Sequence, residues 1–200
     1  MGYLDNDPMP FLEGDPAIDR VRRYFRWWSG RHFDVIGEND PNAITGDDLV
    51  AVSLLSIEIP PEAAIAILED KKDELVGCLK NIPQGKDAVL WEVGESTINE
   101  GSQADSLWQI LHEIDGIGWV TAHKLCARKR PHLLPVYDSV VKAALQPRSR
   151  EFWKPLRKTL VDHPEIVARL EEVKEDAGID KRISLLRTMD VAVWMSFQES

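Results

Sequence analysis

Two short stretches hold the residues whose types and spacing suit chemistry. Asp115-Gly116-Ile117-Gly118 is a bend between two amphipathic runs, and Pro135-Val136-Tyr137-Asp138-Ser139-Val140-Val141 places a carboxylate 20 residues beyond Gly118. Glycine at 116 and 118 permits positive φ and close backbone approach, and Ile117 between them can anchor the bend. A helix starting at once with Val120, Thr121 and Ala122 points unpaired N–H groups outward, where a phosphate can sit. Lys124, Arg128, Lys129 and Arg130 follow with no acid among them, so the sequence predicts a cationic face for a polyanion. A carboxylate fixed opposite, at Asp138, can stabilise developing positive charge or orient a water. Asp138 also suits a plain N-cap before Ser-Val-Val, and the two roles are compatible.

These features sit in a helical pattern. Residues 1–15 read as a lead-in, and 16–200 as one all-α domain of eight to ten helices containing a helix-hairpin-helix at 104–130. Asp15-Pro16 reads as a cap and first turn, with Ile18, Val21, Phe25 and Trp28 on one face and Gly30 closing the helix. Thr45-Gly-Asp-Asp48 matches a capping box, and Pro60-Pro61-Glu62 opens the next helix. A shorter helix covers Asp73–Lys80, and residues 81–102 read as loop. Leu107, Ile110, Leu111 and Ile114 recur at helical period. Later helices are expected near Asp138, from Ser149, over Pro164–Ala177 and over Asp180–Phe197, where Asp190 reads as a buried hydrogen-bonding group.

Composition sets limits. The 200 residues, 44% hydrophobic and 29% charged, describe a globular chain with one main core. Two distant cysteines exclude a disulfide framework, a zinc knuckle and a four-cysteine cluster; the five histidines lack metal-ligand spacing. No signal-peptide pattern or apolar run of membrane length is seen, so a cytoplasmic protein is expected. The net charge of −10 argues against a polyanion partner, but three blocks (20–33, 119–135 and 148–158) are acid-poor and basic. In the first, Trp27 falls between Arg20 and Arg23 on the helical wheel, which suits either base stacking or packing within the protein. Tyr137, next to Asp138, is a second stacking candidate. Trp119 and Trp153 carry the same two readings, and His32 and His123 read mainly as surface or hydrogen-bonded side chains.

The run Ile114-Asp-Gly-Ile-Gly-Trp-Val-Thr-Ala122 resembles the hairpin of the helix-hairpin-helix base-excision DNA glycosylase superfamily, usually L-P-G-V-G-x-x-T-A, with a proline shortly before an essential aspartate. Pro135 and Asp138 stand at the matching spacing. The close resemblance covers about 30 residues; over its length the chain is also similar to a bacterial family of uncharacterised proteins, which implies no activity. The superfamily resemblance implies a two-lobed helical fold, double-stranded DNA as partner, hairpin contacts from residues 116–130, Asp138 as the catalytic carboxylate and a monovalent cation on the hairpin carbonyls, with no other cofactor. Where strand-cutting members carry a Schiff-base lysine this chain has Val120, and Lys124 lies one turn further on, too far to substitute without rearrangement. Asp115 replaces the usual proline, and Val140 replaces a histidine. The implied activity is therefore that of a monofunctional N-glycosylase; the alternative is a non-catalytic interaction protein with an architectural hairpin.

Overall fold

The computed structural model describes residues 4–85, 88–147 and 152–198, and among them the chain is all-α. Ten α-helices follow one another: α1 Gly14–Trp27, α2 Gly46–Ser53, α3 Pro61–Ile65, α4 Lys72–Asn81, α5 Gln103–His112, α6 Trp119–Lys129, α7 Ser139–Leu145, α8 Trp153–Asp162, α9 Pro164–Asp176 and α10 Leu185–Gln198. Extended pairing among the described residues is limited to one bridge, Leu4 with Pro147. None of these helices is long and apolar enough to cross a membrane.

Local sequence explains most of the boundaries. Thr45 and Asp48 form the expected capping box of α2. Ser102 caps α5 by accepting from the Asp105 amide, and Asp138 caps α7. Two helices differ from the sequence reading at their ends. α1 begins at Gly14 rather than beyond an Asp15 cap, and it ends at Trp27; Gly30 belongs instead to a 3₁₀ turn, Ser29–His32. α10 begins at Leu185, because Asp180 accepts from the Arg182 amide and guanidinium and holds 180–182 as a turn. Ser184 then caps the helix through the Arg187 amide. The helix start expected at Ser149 lies outside the described residues.

Helix α6 is the centre of the packing. It lies against α5 on one side and α2 on another, while α10 packs on α1, α7 and α9. Every residue of α6 from Thr121 to Lys129 is buried. Buried apolar side chains from Leu4 to Met195 form one connected cluster. A helix buried around its whole circumference is ordinarily apolar all round, yet α6 carries three cations and a fourth, Arg130, at its C-cap, so each needs a partner indoors.

Candidate functional site

The three cations of α6 and Arg130 at its C-cap divide into two groups. Arg128 is 2% exposed; its guanidinium donates to Asp48 Oδ1 (3.1 Å), Phe33 O (2.5 Å) and Ile36 O (2.6 Å). Lys129 Nζ donates to Asp48 Oδ2 (2.8 Å) and Asn39 Oδ1 (2.6 Å). Arg130 donates to the carbonyls of Pro41 (2.6 Å), Ile82 and Leu79. The expectation that Arg128, Lys129 and Arg130 face DNA is therefore corrected. The periodic pattern placed them after the bend, but the helix that carries them is enclosed by α2, α4 and the 33–41 loop, and they close the carbonyls of those elements.

Lys124 behaves differently. Its ammonium donates to Leu55 O (3.1 Å) and lies 3.8 Å from Asp138 Oδ2. Burial lowers its pKa, with Asp138 and Asp190 acting in the opposite direction. Both Lys124 and Asp138 line a cavity of about 350 Å³ between the end of α1, the 54–57 loop, the first turns of α6 and α7, and α10. Lys124, one turn beyond Val120, thus shares a cavity wall with Asp138. Ser56, beside Leu55 on the cavity wall, has φ 60°, so the Lys124 bond adjoins a left-handed turn that a non-glycine residue adopts only with help.

The orientation of Asp138 follows from its cap. Oδ1 accepts from the amides of Val140 and Val141, each at 3.0 Å, which leaves Oδ2 toward Lys124. The side chain is 12% exposed and lines the cavity. Across from it, α10 supplies Asp190 and Arg187. Arg187 binds Asp190 Oδ2 and Asp34 Oδ2 (3.3 Å), and donates to Tyr24 Oη (2.6 Å) and Gly30 O (3.1 Å). Burial pushes the Asp190 carboxyl up to about 7, with Asp138 adding to the rise and Arg187 opposing it. Burial likewise raises Asp34, against the pull of Arg187.

Aromatic rings close the wall. Trp28, 41% exposed, meets Trp194 edge-on at 5.0 Å and lies parallel to Tyr24, and all three line the cavity. Trp27 does not line it: the ring is 69% exposed with the Arg26 guanidinium 4.9 Å from its centre. Arg20 instead donates to Phe11 O. Tyr137 is corrected as a stacking residue, since Phe152 lies flat on it (4.1 Å, 8°) and Trp119 tilts against it at 5.2 Å. Trp119 is half-buried, with Lys142 Nζ 5.3 Å from its ring centre. Trp153 is buried, and its indole nitrogen has no hydrogen-bond partner.

At the bend, Ile117 is buried as an anchor and Gly116 has φ 86°, with any Cβ there 2.8 Å from Pro60 Cγ. A Cβ at Gly118 would meet nothing within 4 Å among the described residues, and Gly118 precedes α6 with no side-chain cap. Val120, in the first turn, reaches the cavity, and Thr121 is buried. Two hairpin carbonyls already have neighbours: Ile114 O accepts from the Ile117 amide, and Ile117 O lies 3.3 Å from His112 Nδ1. His123 is buried with Nδ1 2.7 Å from Trp119 O and 2.9 Å from Trp108 Nε1; burial drops its pKa to about 4. His32 is exposed and accepts from Arg31 Nε.

Sequence reasoning missed Asp190, Arg187, Tyr24, Trp28 and Trp194 as a group. The available signal was Arg187 and Asp190 at i, i+3 inside a helix otherwise apolar enough to be core. The assembled site is a cavity with indole walls, two carboxylates, an amine and a guanidinium, suited to a flat ring with polar edges and to charge developing beside it.

A family model described as a family of unknown function, DUF6308, matches residues 17–197. Neither the curated proteins nor the solved structures yield a match to the chain.

Proposed function

Taking as premise that the chain belongs to the DUF6308 family, which brings no activity with it, we propose that it binds a nucleic acid with one nucleotide turned into the Asp138 cavity and hydrolyses that nucleotide's N-glycosidic bond. The observation that carries this reading is the Asp138 carboxylate, oriented by two backbone amides on the wall of a cavity shared with Trp28 and Trp194. A base requires an apolar ring to stack on, and the partly exposed Trp28 indole on the cavity wall offers one. Loss of the base leaves positive charge on the sugar ring, and a fixed carboxylate stabilises it while accepting a proton from the attacking water. The uncapped first turn of α6, with Val120 on the cavity wall, lies near enough for its amides to hold a flanking phosphate.

Backbone amides, rather than the buried cations, would then hold the strand. Neutralising few phosphates gives a shallow salt dependence, with a slope of log K on log salt of roughly −1 to −3. A second reading, an interaction protein with an architectural hairpin, is favoured by the enclosure of Arg128, Lys129 and Arg130 and by the net charge of −10.

A panel of duplexes with damaged or mismatched bases, treated with alkali after incubation, separates the two. Base loss by the wild type and not by Asp138→Asn supports the enzyme, and asparagine is an equally good cap, so the fold is retained. Scission without alkali would assign an imine to Lys124 and refute the monofunctional form. An inert wild type leaves the interaction reading.

A further inference from the structure

The cavity wall sets two carboxyls, Asp138 and Asp190, beside two cations, Lys124 and Arg187. Around Asp190 stand Tyr24 from α1, Asp34 from the following loop, Lys124 from α6, Asp138 at the start of α7 and Arg187 from α10 itself. Arg187 is shared between Asp190 and Asp34, Arg128 also acts on Asp34, and Asp138 acts on Asp190 as a like charge. One bound proton on the Asp138–Asp190 pair relieves that repulsion. Asp138 is a poor place for it, because two amides point at its Oδ1 and Lys124 lies beside Oδ2. Asp34 is not on the cavity wall. Asp190 is 2% exposed, lines the cavity and is held by Arg187 through Oδ2 alone, so Oδ1 is the oxygen left for a ligand.

We propose that Asp190 is a second catalytic residue, the proton donor to the departing base, in the reaction that the preceding reading gives to Asp138. The step balances as a hydrolysis. The bond from sugar C1′ to the base nitrogen breaks, its electron pair stays on the base, and the base takes the proton of Asp190. Water bonds to C1′ and releases a proton to Asp138, and exchange with solvent restores both carboxyls. Two carboxyls whose surroundings push their protonation apart divide the acid and base roles. The substrate class follows: neutral bases that leave poorly as anions depend on Asp190, whereas N7-alkylated purines, already cationic, leave without it.

The test compares wild type and Asp190→Asn on duplexes carrying either a neutral lesion, such as hypoxanthine, or 7-methylguanine. Asp190→Asn should slow excision of the neutral base about 100-fold or more and change 7-methylguanine release by less than about 3-fold, the range left to positioning alone. In wild type, neutral-base excision should fall as pH rises above about 7, and 7-methylguanine release should stay flat there; this profile needs no variant and stands if Asp190→Asn fails to fold. Equal loss on both substrates by a folded variant, loss on neither, or a matching pH profile for both in wild type overturns the Asp190 role while the Asp138 reading survives. A wild type inert on both lesions, and on every duplex of the wider panel, overturns both.

Discussion

Helix α6 carries two kinds of buried cation, four residues apart. At its C-terminal end Arg128, Lys129 and Arg130 are saturated, each with two or more oxygen partners from Asp48, Asn39 and loop carbonyls. Near its N-terminal end Lys124 has one carbonyl at hydrogen-bond distance, a carboxylate at 3.8 Å and a cavity beside it. The first arrangement holds elements together. The second leaves polar groups in want of a partner, which is what a ligand can supply. Identical residue chemistry thus gives a structural clamp in one place and a candidate site a turn away.

The largest effect should come from breaking the saturated end. Asp48→Asn removes the carboxylate that answers both Arg128 and Lys129, and should cost about 3–5 kcal/mol by leaving buried charge uncompensated, read as a shift in the urea midpoint. Lys124→Met should cost far less, about 1–2 kcal/mol. Equal losses from the two variants would mean that the cavity end is as structural as the clamp.

Acid should act next. His123 is buried neutral with its pKa lowered to about 4, below the ordinary 6.5 that it regains on unfolding. The unfolded chain therefore binds more protons between those values, and stability is lost as pH falls from 6.5 toward 4, by up to about 3 kcal/mol. Asp190 has the opposite sign: its raised carboxyl favours the native state at low pH, and that contribution is lost as pH rises from about 4 to about 7. Denaturation midpoints across pH 4–8 should therefore show His123→Gln flattening the acid side only.

Two glycine substitutions probe the bend more finely. Gly116→Ala should destabilise by about 1–2 kcal/mol, since its positive φ and the approach of Pro60 both exclude a Cβ. Gly118→Ala should change stability by about 0.5 kcal/mol or less, because it has an ordinary φ and open space around it; if it nonetheless weakens duplex binding, the open side of the bend is the docking side. Smallest of all, Trp27→Ala should leave stability within about 0.5 kcal/mol, while Trp28→Ala should remove the parallel contact with Tyr24 and the edge contact with Trp194 and weaken any base binding measured by tryptophan quenching.

Much of the fold was legible in the chain. The capping box at Thr45, the proline start at α3, the stripe of α5 and the cap at Asp138 are local signals, and local physics settled them. The site was legible in part. Asp138 and the Gly-Ile-Gly bend announce themselves by spacing, and Ile117 anchors as its position suggests. A helical wheel sets Trp27 among arginines and Trp28 on the apolar face, but it cannot say that α1 stops at Trp27 and the chain turns there. Tyr137 looked available because Phe152, the residue that covers it, is 15 positions away.

The amino-acid order by itself determined that this is a helical chain, where most helices start, and that a carboxylate caps the helix following a tight glycine bend, because those outcomes depend on contacts within a few residues. Tertiary structure decided which charges lie inside and which face a cavity. Whether Arg128 meets solvent or Asp48, and whether Lys124 reaches Asp138, depends on elements brought together from distant parts of the chain, and burial then sets each group's partners and protonation.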